Sequence, residues 1–186
     1  YYAGHSDILA GLIVTNRESL YPRIKTAHKL LGAILSPFDA FLLSRGIKTL
    51  PLRLEQHQEN AQLIAEYLDQ QDGVQVYYTG LSHHPGHTIQ KRQAKGHGGV
   101  VSLLLDQQVY DLEIFIQSLQ FFGFAVSLGG VESLICRPAT MTHESYNKEL
   151  QESIGIRDNL LRLAVGIESS KDLIDDLEQA FHKARK

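Results

Sequence analysis

Four short apolar stretches, separated by long polar or helical segments, constrain the fold of this 186-residue chain more than any other feature. Apolar runs of about four to eight residues, bounded by glycine or polar residues, are typical of β-strands. Because the connections are long and partly helical, we predict an α/β to α+β fold: a small, largely antiparallel sheet with helices packed on one face. The predicted strands are residues 74–78, 99–105, part of 124–135, and 161–165.

Two segments near these strands predict helices. Between the second and third strands, apolar side chains recur at helical spacing over residues 112–122. After the last strand, a serine cap precedes a second periodic segment over residues 170–184. Both helices therefore have apolar faces that can cover the predicted sheet.

The region before the first of these strands predicts a further strand and two helices. Residues 8–15 are apolar and predict a buried strand, and residues 18–31 predict a helix. The Ser36-Pro37 pair has the residue types preferred at a helix N-cap and first helical position. We therefore predict a long helix over residues 36–72, kinked at Gly46 and Pro51.

The composition excludes several functional classes. A net charge of -3 gives no general footprint for nucleic acid, and no apolar run approaches the roughly 18 residues that cross a membrane. The single cysteine, Cys136, forms neither an intrachain disulfide nor a zinc site built from thiolates. The first residues lack the basic and apolar segments of a signal peptide, so we expect a cytoplasmic protein.

A cluster of four histidines follows the first predicted strand and raises the question of a metal site. Zinc in proteins takes three or four converging ligands. A Pro-Gly pair interrupts this cluster, and no cysteine or carboxylate lies within it. We therefore expect a polar surface loop rather than a metal site. The histidines are His83, His84, His87 and His97.

Arg162 interrupts the last apolar strand, and the double glycine Gly129-Gly130 follows another apolar stretch. An arginine is rarely buried without an anion, and its planar guanidinium matches a carboxylate. Alternation along a strand equally permits an outward-facing Arg162. The double glycine suits either a turn that presents N–H groups to a ligand or an ordinary turn between strands. From the residues alone, both pairs of alternatives stay open.

A series of motifs, in the same order and with similar spacing, resembles the trans-sulfuration enzymes of cysteine and methionine metabolism, which use pyridoxal 5′-phosphate (PLP). The resemblance covers essentially the whole chain and is of the cystathionine β/γ-lyase type. The motifs are Tyr1-Tyr2-Ala3-Gly4-His5-Ser6-Asp7, Ser36-Pro37-Phe38-Asp39, Arg45-Gly46-Ile47-Lys48-Thr49-Leu50, His84-Pro85-Gly86-His87, Ser127-Leu128-Gly129-Gly130-Val131-Glu132-Ser133-Leu134, Pro138-Ala139-Thr140-Met141-Thr142-His143 and Leu161-Arg162-Leu163-Ala164-Val165-Gly166-Ile167-Glu168.

The resemblance implies the C-terminal part of the aspartate-aminotransferase-like fold (fold type I), and only the second half of a typical member. Residues 1–35 would then end the PLP-binding large domain, residues 36–72 would form a long kinked linking helix, and residues 73–186 would form the C-terminal small domain. It places the Schiff-base lysine immediately before Tyr1, so no catalytic residue is expected in this chain. The residues that hold the cofactor are expected in the N-terminal half of the same enzyme.

The chemistry that the resemblance implies is elimination by a PLP-dependent carbon–sulfur lyase acting on cystathionine or related sulfur amino acids. PLP withdraws electrons from the carbanion formed at Cα, so a thiolate can leave from Cβ or, after a second proton removal, from Cγ. Cystathionine γ-synthase and O-acylhomoserine sulfhydrylase are alternatives from the same family. A non-catalytic binding or assembly module without the lysine is the alternative from a different class.

Five residues acquire expected roles from the same resemblance. Arg162 matches the arginine that binds the substrate α-carboxylate, and Ser127 and Leu128 match the segment that lines this site. Val126 stands where several γ-synthases and γ-lyases have Glu, and Lys29 stands where Asn is common near the neighbouring subunit's site. Both differences concern the choice of substrate. The resemblance further implies a homodimer that pairs into a homotetramer.

Overall fold

The computed structural model describes residues 1–186, which divide into two compact units. One unit is Tyr2–Leu50, and the other combines Tyr1 with Pro51–Lys186. The three-part division expected from the resemblance, at residues 1–35, 36–72 and 73–186, stays a prediction. No helix has both the length and the hydropathy needed to span a membrane.

The Tyr2–Leu50 unit contains two helices, α1 (Tyr21–Leu31) and α2 (Pro37–Ile47). The predicted cap of α2 is confirmed, because the Ser36 side chain accepts a hydrogen bond from the Asp39 backbone nitrogen at 3.0 Å. Gly46 lies in α2 where a Cβ atom would overlap the carbonyl oxygen of Ala3. Only glycine allows this close approach.

The buried strand predicted over residues 8–15 is wrong. These residues have no strand partner, and the side chains of Leu9, Leu12 and Val14 are exposed. An apolar run indicates that a segment needs to be covered, but a strand also needs a neighbouring strand for its backbone hydrogen bonds. The helix predicted over residues 18–31 is present but begins later, at Tyr21.

The long helix predicted over residues 36–72 is two helices, α2 and α3 (Leu50–Asp69). The break falls at Lys48 and Thr49, between the two positions where kinks were expected. The buried face of α3 is apolar towards its end but polar at its start, where Arg53, His57 and Asn60 are buried.

A five-stranded sheet organises the larger unit. In the order β1-β2-β5-β4-β3, all neighbouring pairs are antiparallel except β3 and β4. The sequence prediction of a small, largely antiparallel sheet is therefore confirmed. The strands are β1 (Val74–Tyr77), β2 (Val100–Leu105), β3 (Gly123–Phe124), β4 (Leu134–Cys136) and β5 (Leu160–Ala164).

Helices supply the rest of the core of this unit. The helix predicted over residues 112–122 is present as α5 (Leu112–Ser118), and the helix predicted over residues 170–184 is α7 (Ser170–Ala184). Phe115 of α5 packs against Phe181 of α7 with ring centroids 4.7 Å apart. Two short helices were not predicted: α4 (His87–Gln93) and α6 (Lys148–Ser153).

A buried carboxylate fixes the turn that leads from α5 to β3. Asp176 of α7 accepts hydrogen bonds from the backbone nitrogens of Gln120, Phe121 and Phe122, at 2.8, 2.8 and 3.3 Å. The Gln179 side chain adds a further donor at 3.0 Å. This charged side chain is 3% exposed, and its burial is balanced by these donors.

Candidate functional site

The register of the sheet places Arg162 between two neighbouring strands on the face opposite the core. Arg162 of β5 pairs with Ser102 of β2 and with Cys136 of β4. Because side chains alternate along a strand, the fully buried Leu161 and Leu163 point to the other face. This alternation explains how a charged side chain occurs inside an apolar strand.

The Arg162 guanidinium is only partly satisfied by protein atoms. Its Nη2 atom donates to the carbonyl oxygen of Ser127 at 3.0 Å, whereas its buried Nε atom has no hydrogen-bond partner. A buried donor without an acceptor is costly, so this position favours an anionic ligand. Burial raises the pKa of the adjacent Cys136 thiol, and the charge of Arg162 and a hydrogen bond between the two side chains oppose that effect. Of the two alternatives for Arg162, the geometry favours the anion-binding one.

The 127–133 loop, which joins β3 to β4, forms one side of this position. Gly129 has a positive φ of 76°, and a Cβ atom there would lie 2.7 Å from the backbone nitrogen of Tyr1. Tyr1 is also held by Arg53, whose Nη1 atom donates to its carbonyl oxygen at 2.8 Å. The backbone of Tyr1 is therefore held against the double-glycine turn.

The 127–133 loop is also tied to the segment that follows β5. The backbone nitrogen and the Oγ atom of Ser133 donate to the two carboxylate oxygens of Glu168, at 2.6 and 2.9 Å. Ser133 Oγ accepts from the Gly166 nitrogen at 2.8 Å, and the Ile167 nitrogen donates to the Val131 carbonyl oxygen at 2.9 Å. Neither Ser133 nor Glu168 was assigned a role from the sequence, although both belong to the quoted motifs.

The other predicted site residues lie in two places. Val126 and Leu128 flank Ser127 and are about half exposed, at 52% and 47%. The structure brings Ser127 into contact with Arg162, and Val126 and Leu128 lie next to it in the chain. Lys29 lies on α1 in the Tyr2–Leu50 unit, where its side chain is exposed.

The histidine cluster is ordered by neighbouring protein groups. The His87 and His97 rings are stacked with centroids 5.3 Å apart, and both are held by Thr79. His83 pairs with Asp69 at 3.5 Å. The prediction of a surface loop here is wrong in one respect, because His87 begins α4. No group of three or more His, Cys, Asp or Glu side chains that could hold a metal ion occurs in the structure.

His57 is a buried titratable group behind the candidate site. Its Nδ1 atom bonds the Val165 carbonyl oxygen at 2.6 Å, its Nε2 atom has no partner, and its ring contacts that of Tyr1. Burial lowers the pKa of His57 from its ordinary value of 6.5, and the charge of Arg53 lowers it further. The neutral ring therefore donates through Nδ1.

We expect the stability of the full-length protein to fall as the pH drops below about 6.5. The unfolded chain protonates His57 near this pH, whereas the folded protein does so only at lower pH, so acid favours the unfolded chain. Thermal unfolding at several pH values between about 5 and 7.5 measures this slope. His57→Gln should flatten it, and the exposed His182→Gln should not. Identical slopes in all three proteins would contradict the prediction.

Comparison with known families decides the broader classification. The family model described as Cys/Met metabolism PLP-dependent enzyme matches residues 1–182. The chain belongs to this family. The resemblance inferred from the motifs is confirmed, and so is the predicted cofactor, because enzymes of this PLP-dependent family use pyridoxal 5′-phosphate.

The Cys/Met metabolism family includes curated relatives with closely similar sequences. A cystathionine beta-lyase of Lactococcus lactis subsp. cremoris is 49% identical over 185 residues, covering 98% of this chain and 48% of the relative. A cystathionine gamma-lyase of Sus scrofa is 45% identical over 185 residues, covering 99% of this chain and 46% of the relative. The chain therefore spans about half the length of the curated relatives that it matches.

Solved structures of the same family confirm the predicted fold. A cystathionine gamma synthase from Xanthomonas oryzae pv. oryzae, in complex with cystathionine, matches with a TM-score of 0.93 and 46% identity. A cystathionine gamma-lyase from Lactobacillus plantarum, complexed with L-serine, matches with a TM-score of 0.93 and 40% identity. The matches cover 98% and 99% of this chain and 48% of each solved chain.

Proposed function

We propose that the whole protein is a PLP-dependent carbon–sulfur lyase that acts on cystathionine or a related sulfur amino acid by β- or γ-elimination. The observation that carries this proposal is the partly satisfied Arg162 guanidinium beside the 127–133 loop. Relatives of 45% to 49% identity that are named cystathionine lyases support it. An amino acid with a free α-carboxylate supplies the anion that Arg162 lacks.

The residues of this chain bind and orient the substrate. Arg162 binds the α-carboxylate through its planar guanidinium, and the backbone of Ser127 and Leu128 lines the same end of the substrate. Fixing the carboxylate fixes the direction of the Cα–H bond, which lowers the entropic part of the activation barrier. PLP, when bound, supplies the electron withdrawal that elimination requires.

The position of Tyr1 fits a site for PLP next to Arg162. The close contact between the Tyr1 nitrogen and Gly129 brings this part of the backbone to the same turn as Ser127. We propose that the lysine that binds PLP in this family directly precedes Tyr1 in the whole protein. It would then move the proton at Cα while Arg162 holds the carboxylate.

Product analysis with the full-length enzyme and cystathionine tests the proposed reaction. Cysteine with 2-oxobutyrate indicates γ-elimination, and homocysteine with pyruvate indicates β-elimination. Neither product pair, together with thiol-dependent consumption of an acylated homoserine, would contradict the lyase proposal and favour a synthase or sulfhydrylase. The match to a cystathionine gamma synthase structure is the reason for retaining the synthase as a second candidate function.

Val126 bears on the choice of substrate rather than on the cofactor chemistry. Its side chain is half exposed, next in sequence to Ser127, whose carbonyl oxygen contacts Arg162. An apolar side chain there offers no partner for the distal ammonium group of cystathionine. We propose that Val126 influences substrate choice, and that Lys29 does so from a neighbouring subunit.

We expect the full-length protein to form homodimers that pair into homotetramers. The Tyr2–Leu50 unit exposes more apolar side chains than a monomer of this size usually leaves in water. Light scattering coupled to size exclusion measures the mass, and a monomer at working concentration would contradict the prediction. The exposed side chains include Leu9, Leu12, Ile13, Val14, Leu30, Leu31, Ile34, Phe38 and Phe41.

A cytoplasmic location stays a prediction from the sequence.

A further inference from the structure

We propose that Glu168 is a positioning residue for substrate binding. By accepting two hydrogen bonds from Ser133, it holds the 127–133 loop in place and thereby sets the orientation of Arg162. This inference rests on the proposed function, in which Arg162 binds the substrate α-carboxylate.

Glu168 is in direct contact with Ser133, at the end of the 127–133 loop. Both carboxylate oxygens are used, one for the backbone nitrogen of Ser133 at 2.6 Å and one for its Oγ atom at 2.9 Å. Ser133 is 1% exposed, so water does not readily replace either acceptor. A hydrogen bond to an ionised carboxylate is stronger than one to a neutral group. The end of the loop is therefore firmly attached to Glu168.

Glu168 itself belongs to a backbone segment that α3 holds in place. The Nδ2 atom of Asn60, on α3, donates to the carbonyl oxygens of Glu168 and Gly166 at 2.8 and 3.0 Å. His57, one turn earlier on α3, bonds the Val165 carbonyl oxygen. The polar start of the buried α3 face therefore holds the whole segment after β5.

The other end of the loop contacts Arg162. The carbonyl oxygen of Ser127 accepts from the Nη2 atom of Arg162, and no other hydrogen bond from this guanidinium to a backbone atom is present. The loop is thus attached to one continuous segment at both ends, through Arg162 and through Glu168. When the two Glu168 contacts are lost, the loop keeps only its bonds with the Ile167 and Gly166 nitrogens at this end. Ser127 can then shift, and Arg162 loses the contact that orients its guanidinium.

The consequence is specific to ligands that carry a carboxylate. L-norvaline and n-butylamine differ by the α-carboxylate and have no leaving group at Cβ or Cγ. Titration of the full-length PLP-loaded enzyme with each compound, followed by the cofactor absorbance, gives two dissociation constants. We expect Glu168→Gln to weaken norvaline binding on the order of tenfold and to change butylamine binding by less than about twofold. Gln offers one acceptor where Ser133 presents two donors.

Two further variants make the result decisive. The exposed Glu178→Gln on α7 removes a similar charge and should leave both dissociation constants unchanged. Ser133→Ala keeps the Glu168 charge but removes the Oγ contact, and it should weaken norvaline binding in the same direction. It also replaces Glu168→Gln as the deciding variant if the latter does not fold.

The outcomes separate this inference from the proposed function. Arg162→Lys belongs in the same titration, and unchanged norvaline binding in that variant would overturn the role of Arg162 and this inference with it. Weaker norvaline binding in Arg162→Lys, with wild-type binding in Glu168→Gln, would overturn only the role of Glu168. Equal weakening for norvaline and butylamine would show a general structural role and would also overturn it.

Discussion

Arg162→Lys should lower kcat/KM of the full-length enzyme by at least about thirtyfold, the equivalent of roughly 2 kcal/mol. Lysine keeps the charge but not the planar pair of donors that a carboxylate accepts. The Nη2 contact with Ser127 and the buried Nε donor are both lost, so binding and orientation suffer together. Steady-state kinetics with cystathionine measures the effect.

Two controls show whether the loss is specific to Arg162. The absorbance of bound PLP should match that of the wild type, because the proposed function gives Arg162 a contact with the substrate and not with the cofactor. Arg157→Lys, at an exposed position before β5, should leave the kinetics unchanged. Wild-type kinetics in Arg162→Lys would mean that Arg162 has no part in substrate binding. Loss of PLP would mean that its role is structural.

Asp176→Ala should be the most destabilising single substitution considered, with a loss of about 3 kcal/mol in the free energy of unfolding. The carboxylate is buried and accepts from three consecutive backbone nitrogens as well as from Gln179. Alanine leaves these donors without an acceptor, in a turn where water has limited access. Urea unfolding of the full-length protein measures the change.

Two variants of α7 test the cause of that loss. Asp175→Ala removes a carboxylate that pairs with Lys171 on the exposed side of the same helix, and it should cost no more than about 0.5 kcal/mol. Asp176→Asn keeps one oxygen acceptor and should fall between Asp176→Ala and the wild type. Equal costs for Asp175→Ala and Asp176→Ala would mean that helix propensity or net charge, not the buried hydrogen bonds, dominates.

The sheet could be predicted from the sequence because its strands are apolar runs whose partners lie within the same chain. β2 and β5 show this best: over their first four residues, buried side chains alternate with partly exposed ones, and a glycine or polar residue precedes each strand. The strand predicted over residues 8–15 had the same apolar signal but no partner strand. Local pattern therefore predicts burial more reliably than it predicts pairing.

Short helices were missed for a related reason. α4 has seven residues and no capping side chain, and the histidines around its start favoured a loop interpretation. α6 has six residues, and its Asn147 cap was the one signal that could have indicated it. Helices of this length depend on tertiary contacts more than on their own sequence.

The candidate site was partly visible in the sequence. Arg162 could be selected because a charge interrupts an apolar strand, whereas the contacts made by Glu168 and Asn60 could not. Glu168 contacts Ser133 across 35 positions of sequence, and Asn60 contacts Glu168 across 108. No periodicity or local motif encodes contacts of that kind, so they emerge only from the fold.

The two-ended attachment of the 127–133 loop has an evolutionary consequence. The side chains of Val126 and Leu128 project from positions next to its first attachment and take no part in holding it, since the bonds run through the Ser127 carbonyl oxygen and through Ser133. If Arg162 binds the α-carboxylate as proposed, substitutions of these two side chains leave the bonds that orient it in place. A lineage with this architecture can diversify its preference for the distal part of an amino acid while it retains the means of recognising amino acids as a class.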